Sequence, residues 1–588
     1  MIRIAFPGRM ASHMQTRDTQ PWKTLDTYRG THFSGEWPTI PELFAITCER
    51  YADRRAFTCF DPVTQVYSYR QAALHIETIA AWLLAKGLKS GDRVALTGKN
   101  SPEWAMTYLA ILTAGGTVVP LDYQLTDEEL ARLMSFAEVK FLFVDREKYD
   151  SLPRQKNVKL KDTISLSPET GTYVLDLEVK TDKARPEVGE DDLAAILFTS
   201  GTTGTPKGVM LTHKNLVSDC FLAQGQMNIY HTDVFYALLP IHHAYCMLAV
   251  FIESISVGAE IVFGKRLAVA QIMKDLKQGQ VTMFLAIPML FNKMIKGLMR
   301  GVREKGVLVY GGIRALMSVS GFCKRVLGFN PGARVFKGLL AKLALDTNRI
   351  CICGGGPLPS STYRMFNELG IDFVQGYGLT ETSPILTLNP IEQYKEESVG
   401  QVIHGVEMKI QDPDERGNGD IIVRGPMVMQ GYYRNDEATR ETFTDDGWLI
   451  TGDVGYLDND RYLYLTGRKK SLIVTEGGKN VFPEEIEDRF QLYDEVEQVM
   501  VRGYQKDAMQ KIEGIEAFVY PNPDAIKAIG EKRGTIMSPD QVQSHIEGIV
   551  SDVNRSMLPY KRIEKVHVLD EPMEMTTTKK IKRHAVSV

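Results

Sequence analysis

The chain contains no uninterrupted apolar run of the roughly 18 residues that a membrane-spanning helix needs. It also has no excess of charge of one sign. Lys and Arg number 69 against 73 Asp and Glu, and a net charge of −4 gives no reason to expect a nucleic-acid binder. Cysteine is scarce: seven in 588 residues, an odd count. Only Cys351 and Cys353 stand close, in an apolar, strand-like run, and two ligands alone do not make a zinc site. The seven read as reduced, mostly buried thiols of a cytoplasmic protein. No short-period repeat is visible. The first 14 residues lack the apolar core of a signal peptide, and Ala11-Ser12-His13-Met14 reads as a vector-derived junction before a native start near Met14. Residues 1–34 are therefore set aside as an extension. What remains, 44% hydrophobic and 24% charged, is an ordinary globular composition, and the length calls for more than one domain.

One stretch stands out: Ile196-Leu197-Phe198-Thr199-Ser200-Gly201-Thr202-Thr203-Gly204-Thr205-Pro206-Lys207-Gly208-Val209. An apolar strand runs into glycines and hydroxyls with one lysine near the end. Glycines allow a tight turn and close approach to a ligand, and successive N–H groups can nest an anion. The hydroxyls add donors and Lys207 adds a mobile positive charge, which together suit a polyphosphate. A polar surface loop is the alternative. It is not a Walker loop, because no Gly-Lys-Ser/Thr occurs at the required interval.

Along the chain, helical spacing predicts helices over residues 39–51, 70–86, 102–114 and 128–137. Buried strands are expected at 92–96, 117–121, 140–145 and 193–198, and a hairpin over 56–69 around Asp61-Pro62. Thr212 caps the next helix, and strands at 233–239 and 260–263 flank a helix over 245–255. Such alternation means parallel sheets with helices on their faces. The expected fold is α/β: two tandem α/β layers plus a small antiparallel β unit (402–465), then a small, mobile α+β C-terminal domain. The boundary is placed at Lys470, giving domains 35–469 and 470–588. Residues 291–345 differ, with 11 basic residues and a single acid, Glu304, among apolar side chains. That pattern suits either a solvated helical face or contact with an anionic membrane surface.

Further motifs follow in order. Gln375-Gly376-Tyr377-Gly378-Leu379-Thr380-Glu381-Thr382 sets an aromatic between glycines, where a ring can lie against a purine, then a carboxylate able to hold a divalent ion. Taken alone, the motif reads rather as a core Tyr377 and a solvated Glu381. Asp446-Gly447-Trp448-Leu449-Ile450-Thr451-Gly452-Asp453 ends in an acid that could accept ribose hydroxyls or merely close a turn. Gly354-Gly355-Gly356-Pro357, Ile241-His242-His243-Ala244, Gly467-Arg468-Lys469-Lys470, Glu476-Gly477-Gly478-Lys479 and Thr577-Thr578-Lys579-Lys580-Ile581 complete the set.

In this order the motifs resemble those of the adenylate-forming superfamily, and of its long-chain fatty-acid–CoA ligases in particular, over essentially residues 38–583. The resemblance implies a phosphate loop with Thr199, Ser200, Gly201, Thr202, Thr203, Gly204 and Lys207. It implies Gly355 and Gly376 along the adenine, Tyr377 stacked on it between Gly376 and Gly378, and Thr380 at the α-phosphate. Glu381 would bind Mg²⁺ with Thr202 nearby, Asp453 and Arg468 would grip the ribose, and Lys470 would be the hinge. Lys580 would be the catalytic lysine, although Lys579 stands where glycine is usual and leaves the choice between the two open. His243 would close the acyl pocket, and Gly477 and Gly478 would line a pantetheine tunnel. Phe284, Ile287, Pro288 and Ile385 are candidates for the pocket wall.

The implied reaction activates a fatty acid with ATP and Mg²⁺ to an acyl adenylate, then passes the acyl group to the thiol of CoA. Loading of a carrier protein, a ligase for another carboxylic acid, and a silent lipid- or nucleotide-binding protein are the competing readings. The sequence leaves homodimerisation open.

Overall fold

A computed structural model describes residues 20–179, 181, 183–199, 206–265, 268–475, 479–491, 493–507, 512–576, 581–583 and 586. Local signals start the elements where expected. Helix Ile40–Tyr51 is opened by a capping box in which Thr39 accepts from the Glu42 amide and Glu42 accepts from the Thr39 amide. Its periodic residues Ile40, Leu43, Phe44 and Ile46 are buried, each worth about 1.5–3 kcal/mol of transfer free energy. The same box, Ser68 with Gln71 and Thr212 with Asn215, opens helices Tyr69–Ala85 and His213–Gln224.

Two large sheets carry most strands. The first has the order Gly431–Tyr432, Lys207–Thr212, Leu193–Thr199, Thr117–Leu121, Arg93–Thr97, Phe141–Val144, Asp162–Ser165. The second runs Gln401–Val402, Ile385–Leu388, Asp372–Gly378, Ile350–Cys353, Met283–Ala286, Val234–Ala237, Glu260–Phe263, Arg55–Cys59, Gln65–Ser68. The α/β reading is met, with one refinement to the tandem order. The early hairpin Arg55–Cys59/Gln65–Ser68 crosses to the edge of the second sheet, where Phe57 pairs with Ile261. A four-stranded antiparallel sheet (Glu407–Gln411, Gly419–Arg424, Leu449–Leu457, Leu463–Arg468) is the small β unit.

Beyond it, strands Val496–Asp507, Ile512–Pro521 and Lys565–Val568 form a sheet that, with helices Pro483–Phe490 and Pro539–Arg555 packed on it, encloses a core cluster of its own running from Ile473 to Ile563. Helix Pro523–Arg533 in this part lies outside the expected elements. All seven cysteines are free; five are buried, and Cys48 and Cys323 are half-buried. Among the described residues no helix is long and apolar enough to cross a membrane.

Candidate active site

The second sheet assembles the site by topology. Strands Val234–Ala237, Met283–Ala286, Ile350–Cys353 and Asp372–Gly378 are parallel neighbours, so their carboxyl ends lie side by side. Each end releases one motif: the His242-His243 segment, Ile287-Pro288, Gly354-Gly355-Gly356, and Tyr377 to Glu381. Loops at the carboxyl ends of parallel strands are where α/β sheets bind ligands. The contacts agree. A Cβ on Gly354 would meet the Tyr245 ring at 2.8 Å, so any side chain there would have to push the ring aside. Cβ positions built on Gly355 and Gly356 fall 3.8 Å from Ile287 and 3.7 Å from Pro288. Ile385 and Phe284 are buried, Phe284 in a ring cluster with Tyr236 and Phe291.

The strands on either side of the Gly/Thr-rich stretch form a hairpin. Strands Leu193–Thr199 and Lys207–Thr212 pair antiparallel, with Thr199 opposite Lys207. The second of these strands was not expected; the Pro-Lys-Gly sequence reads as loop until its partner is known. Ser200, Gly201, Thr202, Thr203 and Gly204 lie outside the described residues, as do Gly477, Gly478, Lys579 and Lys580. The flanks of the last two are held. Met575 bridges Ile581, and Arg583 pairs with Glu487 at 2.6 Å and Glu484 at 3.7 Å. The charge of Lys582 reaches Glu129, whose carboxyl is held below its ordinary value chiefly by the Thr126 amide, Lys582 adding to it. Thr475 and Lys479, on either side of 476–478, face each other across a two-stranded ladder.

Tyr432, which the sequence did not single out, joins two of the motifs. Its hydroxyl donates to Glu381 Oε1 at 2.8 Å, and the Lys207 ammonium lies 4.7 Å from its ring centroid, a cation–π distance. Tyr432 gets there because Gly431–Tyr432 pairs with strand Lys207–Thr212, Tyr432 opposite Val209. Burial, with the Glu381 charge added, raises the Tyr432 hydroxyl pKa, so it stays a donor. The backbone carbonyl of Glu381 also accepts from Met429 N–H at 2.9 Å. Ser383, at φ +74°, donates to the Met427 carbonyl at 2.8 Å and keeps the turn after Glu381 against the same segment. One Glu381 oxygen thus accepts the tyrosine hydrogen bond and the carboxylate keeps a second oxygen. A hard divalent cation wants oxygen donors and binds through one or two carboxylates plus phosphates, so this residue fits Mg²⁺.

A second convergence involves Asp453. Its Oδ2 accepts from the Tyr377 hydroxyl at 2.7 Å, and its Oδ1 lies 3.2 Å from Arg468 Nε. Asp453 and Arg468 are directly opposed on strands Leu449–Leu457 and Leu463–Arg468. Asp453 does not close a turn: the Thr451 hydroxyl donates to the Ile421 carbonyl and accepts from the Asp453 amide, bracing the irregular stretch of this strand where Gly452 has φ +75°. Burial first, then the Asp453 charge, pushes the Tyr377 hydroxyl well above its ordinary pKa. Thr380 begins the turn Thr380–Thr382 that carries Glu381. Gly376 and Gly378 flank Tyr377 tightly: a Cβ on Gly378 would sit 1.5 Å from the Pro384 carbonyl oxygen.

His243 precedes the helix that begins at Ala244, and its ring lies 4.3 Å from that of His242. His242 Nε2 is 3.6 Å from Asp122 Oδ1, from the loop after Thr117–Leu121 in the first sheet. Burial, reinforced by His243, holds the His242 pKa well below the ordinary value, so it is neutral. Asp122 thereby brings the first sheet to the His242-His243 pair, a contact no local sequence signal announces. Arg468 leads into the turn Lys469–Ser471, where Lys470 is exposed. Past it, Asn292 donates to Gln491 at 3.2 Å and Lys296 pairs with Asp494 at 2.9 Å.

The family model for AMP-binding enzymes matches residues 44–433. A long-chain-fatty-acid–CoA ligase of Mycobacterium bovis is 28% identical over 88% of this chain and 90% of its own length. A chloroplastic long-chain-fatty-acid–[acyl-carrier-protein] ligase of Arabidopsis thaliana is 26% identical over 100% of this chain and 91% of its own. Among solved structures, ATP-bound MatB from Rhodopseudomonas palustris superposes with a TM-score of 0.71 at 26% identity, covering 93% of this chain and 98% of that one. An anthranilate CoA ligase in complex with anthranoyl-AMP gives a TM-score of 0.74 at 20% identity, covering 94% and 96%, a likeness of fold.

Proposed function

The chain belongs to the AMP-binding enzyme family, whose members form adenylates, and from that premise we propose that it is a long-chain fatty-acid–CoA ligase. The observation that carries the reading is the Tyr432 bridge. It binds the phosphate-hairpin lysine and the Glu381 carboxylate to one side chain, as a site that must hold a polyphosphate and its cation together requires. The acid and the acceptor rest on relatives named for long-chain fatty acids, several of them CoA ligases.

A carboxylate is a poor acyl donor because its oxygen is a poor leaving group. In the first half-reaction a carboxylate oxygen attacks the α-phosphorus of ATP and pyrophosphate leaves, giving an acyl adenylate. Several anionic groups meet, so stabilisation is chiefly electrostatic. Lys207 and the hairpin amides hold the β- and γ-phosphates. Tyr377 lies against the adenine, and Asp453 with Arg468 takes the ribose hydroxyls. Thr380 and Lys580 reach the α-phosphate. Mg²⁺, held by Glu381 with Thr202, would neutralise phosphate charge and so favour loss of pyrophosphate. In the second half-reaction the CoA thiol, losing its proton, attacks the acyl carbonyl and AMP leaves. Rotation of residues 470–588 about Lys470 exchanges Lys580 for the thiol channel at Gly477 and Gly478, so each step has its own assembled site. His243 closes the acyl pocket before the thiol enters.

The test is pyrophosphate release with ATP, Mg²⁺ and a ladder of carboxylic acids from acetate to long chains, with and without CoA. Turnover that needs CoA and is greatest with long chains is the expected result. A single equivalent of pyrophosphate that CoA does not accelerate would move the acceptor to a carrier protein, as in the Arabidopsis relative's name. Turnover greatest with short or aromatic acids would overturn the long-chain assignment.

A further inference from the structure

Helix Val307–Leu327 is amphipathic the wrong way round for water. Its charged residues that face the protein are neutralised. Lys324, only 8% exposed, pairs with Asp372 at 2.7 Å and donates to Asn367 and the Ile371 carbonyl, and Arg314 pairs with the buried Glu368 at 3.4 Å. Its outward face is apolar. Leu308, at 92% exposed, begins a stripe that continues through Gly312, Leu316, Val319, Phe322 and Val326 at helical spacing. A helix in water turns its apolar stripe inward, so this face needs an apolar neighbour that the described residues do not supply.

We propose that this face lies in the interface of an anionic lipid bilayer, with the helix parallel to the surface. Charge complementarity selects the occupant. Arg300, Arg303 and Lys305 are exposed before the helix, and Arg334, Lys337 and Lys342 after it, with Glu304 the one acid from 291 to 345. Basic clusters at both ends of an apolar stripe match lipid headgroups flanking acyl chains. A second copy of the chain would bring these like charges together. The helix does not cross: its 21 residues include Arg314, Lys324 and Arg325. The preceding helix Pro288–Arg303 starts beside Gly356 and ends at the first basic cluster. Membrane and nucleotide site are therefore joined by one rigid element, a geometry suited to an acid dissolved in the bilayer.

The assay is co-sedimentation of the full chain with vesicles of phosphatidylcholine alone or mixed equally with phosphatidylglycerol. The chain should sediment with the anionic vesicles and much less with the neutral ones. The triple variant L316Q/V319Q/F322Q should bind at least about tenfold more weakly. Hydrogen exchange on the unaltered chain provides a readout independent of any variant: amides of 307–327 should gain protection when anionic vesicles are added. Absence of sedimentation, equal binding by the triple variant, or unchanged exchange in 307–327 would overturn the proposal. So would a dimer in light scattering that the triple variant converts to monomer while vesicles bind neither form; the face would then belong to a second copy. The assay needs no turnover, so its failure leaves the ligase reading standing, and failure of the ligase reading leaves the surface standing.

Discussion

Removing one oxygen from Tyr432 tests how the site is wired. Tyr432→Phe keeps the ring under Lys207 and deletes the donor to Glu381. Hydrogen bonds to charged groups contribute about 1.5–3 kcal/mol, so pyrophosphate release should fall about tenfold or more, with a higher Mg²⁺ requirement. An unchanged Mg²⁺ titration would remove Tyr432 from the site. Tyr432 was invisible in the sequence because 51 residues separate it from Glu381, and only strand pairing with the hairpin joins them. Tyr377, Asp453 and Arg468 were legible, since each sits in a motif with its own glycines or charges.

The buried Glu253 gives a pH test at the same scale. Burial raises its pKa from 4.5 to about 8, and Gln224 donates to its carboxyl at 2.7 Å. A raised carboxyl pKa means the folded state keeps a proton that the unfolded chain releases. Stability from this group is full below about pH 4.5 and is lost as pH rises through about 8. Glu253→Gln should flatten the fall of the urea midpoint across that window by about one proton's worth. An identical slope in both proteins would contradict the assignment.

Elements were easier to read than their environments. Capping boxes at Thr39, Ser68 and Thr212 fall where the residue patterns placed helix starts, because a cap is a local event. The strand Lys207–Thr212 was not legible, because its pairing with Leu193–Thr199 is settled across the loop rather than within it. For 307–327 the sequence showed basic and apolar residues together, but periodicity cannot say which stripe faces out. The ion pairs to Glu368 and Asp372 decide it. The turn between Asp372–Gly378 and Ile385–Leu388 carries a sharper expectation. Gly378→Ala would drive a methyl into the Pro384 carbonyl oxygen, 1.5 Å from its Cβ, so the turn must move. Thermal denaturation should show a loss of several degrees, and adenylation should fall with it. A variant as stable and active as the parent would mean this turn is not held as described.

For the whole molecule, alternation of short strands and helices made the α/β class readable, and the motif order made the family readable. The crossing of hairpin Arg55–Cys59/Gln65–Ser68 to the second sheet was not readable, because the strand next to it, Glu260–Phe263, lies some two hundred residues later. The reading that residues 470–588 swing as a unit has its own test. Lys580→Ala should lose adenylation far more than thioester formation from supplied acyl adenylate, measured as two separate half-reactions. Equal loss of both would contradict the exchange of sites.

The most direct test follows the atoms. Palmitate labelled with ¹⁸O in both carboxyl oxygens is incubated with the full chain, ATP, Mg²⁺ and CoA, and the nucleotide product is weighed by mass spectrometry. Attack by the carboxylate on the α-phosphorus should leave one ¹⁸O in AMP and one in palmitoyl-CoA. Unlabelled AMP, or formation of ADP and phosphate instead, would contradict an acyl adenylate on the path.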